Sequence, residues 1–175
     1  MSSIEIKKAS IIALNTDAIV NAANESLRAG GGVCGAIFNA AGYEPLQAVC
    51  ESIGHCATGS AVLTPAFRIK ARYVIHAVGP RWNGGESGEP RQLYGCYRRS
   101  LELAMEKGCH SVAFPLISSG IFGYPKELAW ETAIRSCRDF LKDNPAYEMD
   151  ILFAVIGEGM QKMGRKVLEG RTEEG

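Results

Sequence analysis

The stretch Asn21-Ala22-Ala23-Asn24-Glu25-Ser26-Leu27-Arg28-Ala29-Gly30-Gly31-Gly32-Val33-Cys34-Gly35 decides how this chain is built. Ahead of it, Ala18 to Val20 reads as an apolar strand that delivers Asn21 and Asn24. The glycines then open a helix that runs through Ala36, Ile37 and Ala40. Glycine lets the main chain approach a ligand closely and adopt positive φ. Amides at a helix start, aided by the helix dipole, suit an anion such as a diphosphate. Without a ligand the same residues are a glycine-rich turn, so the rest of the chain has to decide between the two.

Strand-like and helix-like segments alternate in both directions from this loop. Ile4 to Ile6 is predicted as a strand and Pro45 to Ile53 as a short helix. Ala61-Val62-Leu63 and Tyr73-Val74-Ile75 read as strands, the second rich in β-branched and aromatic residues. Leu93, Cys96, Tyr97, Ser100, Leu101 and Ala104 recur at helical spacing, as do Trp130, Ala133, Ile134, Cys137 and Leu141. Between them lies the short apolar strand Ser111 to Phe114, closed by Pro115. Ile151 to Ile156 is a continuous apolar run, expected of a strand covered on both faces. Met160 to Leu168 reads as a closing helix, and the tail from Glu169 to Gly175 as frayed. Alternation of this kind predicts a largely parallel sheet between two helical layers. Ligands then bind at the carboxyl ends of the strands.

The chain has 175 residues, enough for one domain with its own core. Lys and Arg number 19, as do Asp and Glu, so the formal net charge is zero. That removes any broad electrostatic argument for a nucleic-acid or membrane partner. No apolar run approaches the ~20 residues needed to cross a bilayer. Met1 to Lys8 has no character of an export signal, and the expected location is cytoplasmic. Cys34, Cys50, Cys56, Cys96, Cys109 and Cys137 lack CxxC spacing and read as reduced, mostly buried small apolar residues. His55-Cys56 and Cys109-His110 lack the spacing of a zinc site, so neither a metal nor a cofactor is expected. His76, on an apolar strand, reads as a satisfied core histidine.

A second loop, Pro115-Leu116-Ile117-Ser118-Ser119-Gly120-Ile121-Phe122-Gly123-Tyr124-Pro125, follows its strand directly. Ser118 and Ser119 offer hydroxyls, the following amides suit an anion nest, and Phe122 suits a sugar or base. Two such loops at one sheet edge make a ligand site the better reading. Gly30, Gly32 and Gly35 also satisfy GxGxxG. However, Asn24 to Ala29 separate them from the strand, and the next strand lacks the acid a dinucleotide site needs.

The run Ile19 to Asn24, then Gly30-Gly31-Gly32-Val33 and Gly35-Ala36-Ile37, resembles the signature of macrodomains. Tyr73 to Pro80 and the Ser118 to Pro125 loop resemble two further segments of that family, in its order. The likeness runs from about Ile4 to Leu168 and is greatest to the branch that removes ADP-ribose from acidic side chains or deacetylates O-acetyl-ADP-ribose. It implies a three-layer α/β/α fold with a mostly parallel mixed sheet, and ADP-ribose, free or on a protein, as partner. It further implies that Ala22 contacts ADP-ribose and that Asn24 is bonded to the distal ribose hydroxyls. Gly30, Gly31, Gly32 and Val33 would line that ribose and the diphosphate. Ser118, Ser119, Gly120, Ile121 and Phe122 would close over the diphosphate, and Ser10, Ile11 and Ile156 would lie at adenine. Three positions depart from the pattern: Cys34 stands for an aspartate, Ser10 for an acid and Ile156 for an aromatic. Catalysis without the aspartate would rest on Asn24 and the loop amides. The alternatives are a module that binds ADP-ribose without turnover, an ADP-ribose 1″-phosphate phosphatase and, distantly, a nicotinamide-dependent oxidoreductase.

Overall fold

The computed structural model describes the main chain of residues 1–174 and side chains through 170. Six strands form one sheet: β1 (Ser3–Lys8), β2 (Ala18–Ala23), β3 (Ala61–Pro65), β4 (Tyr73–Val78), β5 (Ser111–Phe114) and β6 (Asp150–Val155). Their order is β1-β6-β5-β2-β4-β3, and every pairing is parallel except β3 with β4. Among the described residues five helices complete the fold: α1 (Gly32–Ala41), α2 (Tyr43–Ile53), α3 (Glu89–Glu106), α4 (Lys126–Asp143) and α5 (Glu158–Glu174). A single 3-10 turn, Ile11–Ala13, links β1 to β2. The predicted α/β/α layering with a mostly parallel mixed sheet is what the molecule has.

Strand residues alternate between two cores, as the pleat requires. On β2, Ala18 and Val20 join a cluster with Leu93 and Tyr97 of α3 and Trp130 and Phe140 of α4. Ile19 and Ala23 join the opposite cluster, with Ile37 and Phe38 of α1 and Leu46 of α2. The chain therefore leaves β2 toward one face of the sheet and leaves β4 and β5 toward the other. Connections that diverge in this way open a crevice beyond the carboxyl ends of the strands, where α/β proteins place their ligands.

All six cysteines are free and buried. Among the described residues no helix is long and apolar enough to cross a membrane. Element boundaries differ from expectation mainly at helix starts, because α3 and α5 each begin with a glutamate that no apolar period marks. Ile156, predicted as the end of the last strand, lies beyond β6 with its side chain 80% exposed. The tail expected to fray includes the end of α5; Gly175 and the side chains of 171–175 lie outside the described residues.

Gly164 sets how closely α5 approaches the sheet. A Cβ there would stand 2.8 Å from the Trp130 ring and 2.7 Å from Ile6 Cδ1. Gly164→Val should therefore cost about 2 kcal/mol by overpacking, measured as a lower urea midpoint with an unchanged slope.

Candidate ligand cleft

The first loop is organised by Asn24. Its Oδ1 accepts from the Arg28 amide at 3.0 Å and from Ser26 Oγ at 2.9 Å, and its Nδ2 donates to the Arg28 carbonyl at 3.0 Å. These bonds hold Leu27 in the left-handed region, with φ 57° and its side chain in the core. Gly35 lets the loop fold back over α1, since a Cβ there would meet the Gly30 carbonyl at 2.6 Å. The third glycine of the apparent GxGxxG thus serves packing. Helix geometry leaves the first amides of α1 without internal acceptors. From Gly30 to Cys34 none donates a hydrogen bond among the described residues.

Cys34 packs at the base of the first loop. It is 7% exposed, and its Sγ lies 3.8 Å from the Arg28 carbonyl, where the thiol closes the loop that Asn24 opens.

The second loop is held more tightly. The Tyr97 hydroxyl accepts from the Ile117 amide at 2.8 Å, the Tyr124 amide donates to the Ser118 carbonyl at 2.9 Å, and Ser119 Oγ caps the Leu116 carbonyl at 2.7 Å. Ser118 carries φ 67°, a strained value for a serine, and its buried hydroxyl has no partner among the described residues. It packs against Gly79, where a Cβ would overlap both Ser118 Oγ and Ile117 Cγ2. The amides of Gly120, Ile121 and Phe122 donate no hydrogen bond among the described residues. Ile121 projects outward, 95% exposed.

A third segment, after β4, braces this loop. The Trp82 amide donates to the Phe122 carbonyl at 2.8 Å, and the Trp82 and Tyr124 rings meet edge-on at 4.7 Å. Glu89, buried at the start of α3, fixes the segment by accepting from the amides of Asn83, Gly85 and Ser87 at 2.7, 3.0 and 2.7 Å. Burial opposes its ionisation, but these amides and its own together outweigh burial and hold the carboxyl below its ordinary value. Sequence reasoning quoted Gly79 within a family segment but gave it no role, and passed over Arg81 and Glu89; the one signal available for Glu89 was an acid at a helix start after a glycine-rich turn.

The sheet order aligns these pieces along one edge. At one end, the Ala9 amide donates to the Val155 carbonyl at 3.0 Å, so Ser10 and Ile156 share the corner beyond β1 and β6. Ser10 is exposed with no capping bond, whereas Ile11 is 6% exposed and packs with the α1 side of the core. The second loop follows at β5, then Ala22 and the first loop at β2, then Gly79 and Pro80 at β4. From β1 to β4 this edge spans about 19 Å at ordinary strand spacing. At its β4 end lies a groove of about 430 Å3 bounded by Asn24, Val78, Gly79, Pro80 and Phe122. The structure thus brings the two loops, Ser10 and Ile156 to one edge, and leaves the Cys34 and Ile11 side chains buried.

Residues 20–133 match the model of the macro domain family. The chain belongs to that family. A macro domain-containing protein of Chlorobaculum tepidum is 52% identical, over 81% of this chain and 81% of the relative. A protein of Escherichia fergusonii named O-acetyl-ADP-ribose deacetylase is 42% identical over 99% of both. Among solved structures, the Oceanobacillus iheyensis macrodomain with ADP superposes with a TM-score of 0.91 at 35% identity, covering 97% of this chain and 91% of the other. The Trypanosoma brucei macrodomain in complex with ADP-ribose superposes with a TM-score of 0.87 at 36% identity, covering 94% of this macro domain and 68% of its own chain.

Proposed function

We propose that this macro domain binds ADP-ribose lengthwise along the carboxyl edge and hydrolyses an acyl ester carried on the distal ribose. One observation carries the proposal: two runs of uncommitted amides, Gly30 to Cys34 and Gly120 to Phe122, follow the paired strands β2 and β5. Amides of this kind at a helix start and in a loop nest suit a diphosphate. Adenine then lies toward Ser10 and Ile156, and the distal ribose beside Asn24 and Phe122. The relative named O-acetyl-ADP-ribose deacetylase and the relative bound to ADP-ribose support both halves of this assignment.

In the reaction, a water oxygen adds to the ester carbonyl carbon, the bond to the ribose oxygen breaks, and that oxygen takes up a proton while the acid is released. Cys34 supplies no base, because its buried thiol is turned to the Arg28 carbonyl. The rate gain rests on holding the ribose and the water in line and on loop amides aimed at developing charge.

Turnover of a protein ADP-ribosylated on glutamate tests this. Wild type should exceed the uncatalysed background, and Cys34→Ala should keep its rate within about threefold. Asn24→Ala should lose about 100-fold, because the loop that positions the ribose loses its clamp. The burial of Cys34 also favours a second function, a module that holds ADP-ribose without turnover. Tight binding with no turnover would establish that one.

A further inference from the structure

Phe122 is held at two points by consecutive residues of the segment after β4. The Trp82 amide fixes its carbonyl, and the Arg81 guanidinium lies over its ring, 4.4 Å from the ring centre. The other cation–ring contacts among the described residues are longer, at 5.3 Å or more.

The second loop itself does little to orient that ring. Phe122 belongs to neither core cluster, and the Trp82 and Tyr124 rings meet each other rather than that of Phe122. Its neighbour Ile121, carried by the same open turn, projects into solvent, whereas Phe122 is half-buried. Arg81 is committed to nothing else, since it forms no ion pair among the described residues. The segment that carries it is firmly held. Glu89 accepts from three of its amides, and Gly85, at φ 88°, leaves room for the Trp82 ring, whose Cη2 would stand 2.8 Å from a Cβ there. A guanidinium over an aromatic face is attracted by the ring quadrupole, and its planar shape lets it stack.

We propose that Arg81 is a positioning residue that acts through Phe122: by covering one face of the ring it fixes the ring's tilt, so that the remaining face and edge meet the distal ribose. The proposal rests on the placement of that ribose beside Phe122 argued above. A ring held beforehand does not have to be ordered by the ligand, and affinity rises accordingly. Arg81 itself does not touch the ligand, so its effect is confined to the ribose end. Because Arg81 is exposed, the contact lies at the weak end of its class and is equivalent to a few-fold in affinity.

Calorimetry on the full chain with ADP-ribose, and with ADP, which lacks the distal ribose, tests this. Arg81→Met keeps an unbranched side chain and removes the charge. It should weaken ADP-ribose about three- to fivefold and leave ADP within about twofold. Arg81→Lys, which keeps a cation, should recover part of the loss. Phe122→Leu should itself weaken ADP-ribose relative to ADP, and adding Arg81→Met to it should change nothing further. Equal losses for both ligands would put Arg81 on the diphosphate or in the general support of the loop, and would overturn the proposal. A loss that persists in Phe122→Leu, or a lysine no better than methionine, would overturn it too. No loss in Arg81→Met while Phe122→Leu keeps its effect would remove the role of Arg81 and leave the cleft standing. Unchanged ADP-ribose affinity in Phe122→Leu would take the ribose away from Phe122, and both readings with it.

Discussion

Gly31→Glu and Gly120→Glu are each expected to weaken ADP-ribose binding by at least about 100-fold while the protein stays folded. Both positions tolerate a side chain in the free protein, since a Cβ at either meets nothing within 4 Å. Neither glycine has a left-handed φ; Gly31 sits at −87°. A glutamate at either place costs the fold little but sets a carboxylate among the amides that would hold the diphosphate. It removes charge-assisted bonds and adds like-charge repulsion in the same step. Gly31→Ala and Gly120→Ala should bind far better than the glutamates, separating charge from bulk. Calorimetry checks this: unchanged affinity in both glutamate variants would dissolve the two-loop site.

The second large effect concerns stability against acid. His76 is fully buried between β2 and β3, and both ring nitrogens are used. Asn21 Nδ2 donates to Nδ1 at 3.1 Å, which leaves the proton on Nε2, where it reaches Thr64 Oγ1 at 2.9 Å. The Thr64 hydroxyl in turn donates to the Pro65 carbonyl at 3.1 Å. A second ring proton would face the Asn21 amide donor. The nearby Cys50 thiol, 3.9 Å from Nε2 and pushed up to about 11 by burial, supplies no negative charge to compensate.

Burial lowers the His76 pKa from 6.5 to about 4. The unfolded chain therefore binds the extra proton first. The stability that the neutral ring contributes is complete above pH 6.5 and is lost as pH falls to about 4. The loss amounts to about 3 kcal/mol. Denaturation midpoints of wild type and His76→Gln, measured across that range, check it. The variant should be weaker at neutral pH but show a shallower decline on acidification. Parallel declines would mean that His76 is not the group being titrated.

Fold and site differ in how much of them the sequence reveals. The β-branched and aromatic run at Tyr73 to Ile75, the continuous apolar run from Ile151 and the helical spacing from Leu93 to Ala104 disclose layers and strand identity, because burial on two faces or one stripe imposes a composition. Both glycine loops are legible because their glycines cluster between a strand and a helix start, where Gly32 and Gly123 hold the positive φ that glycine adopts most readily. Side-chain direction is not legible. Cys34 turns inward because α1 folds back over Gly30 through Gly35, a contact no linear pattern announces. Asn24 is spent largely on its own loop, through bonds to a residue four positions on. Ile11 points into the core because the 3-10 turn after β1 rotates it there. The β4 end of the cleft was invisible for a topological reason, since only the antiparallel pairing of β3 brings Thr58 beside Gln92.

The central claim, that ADP-ribose lies along the carboxyl edge between the two loops, is tested most directly by titrating isotope-labelled protein with ADP-ribose and following backbone amide shifts. Saturable one-to-one binding is expected, with the largest shifts at Gly30 to Cys34 and Gly120 to Phe122 and smaller ones near Ser10 and Ile156. No binding, or shifts confined to the groove between α4 and α5 that Glu131 and Lys166 line, would contradict it.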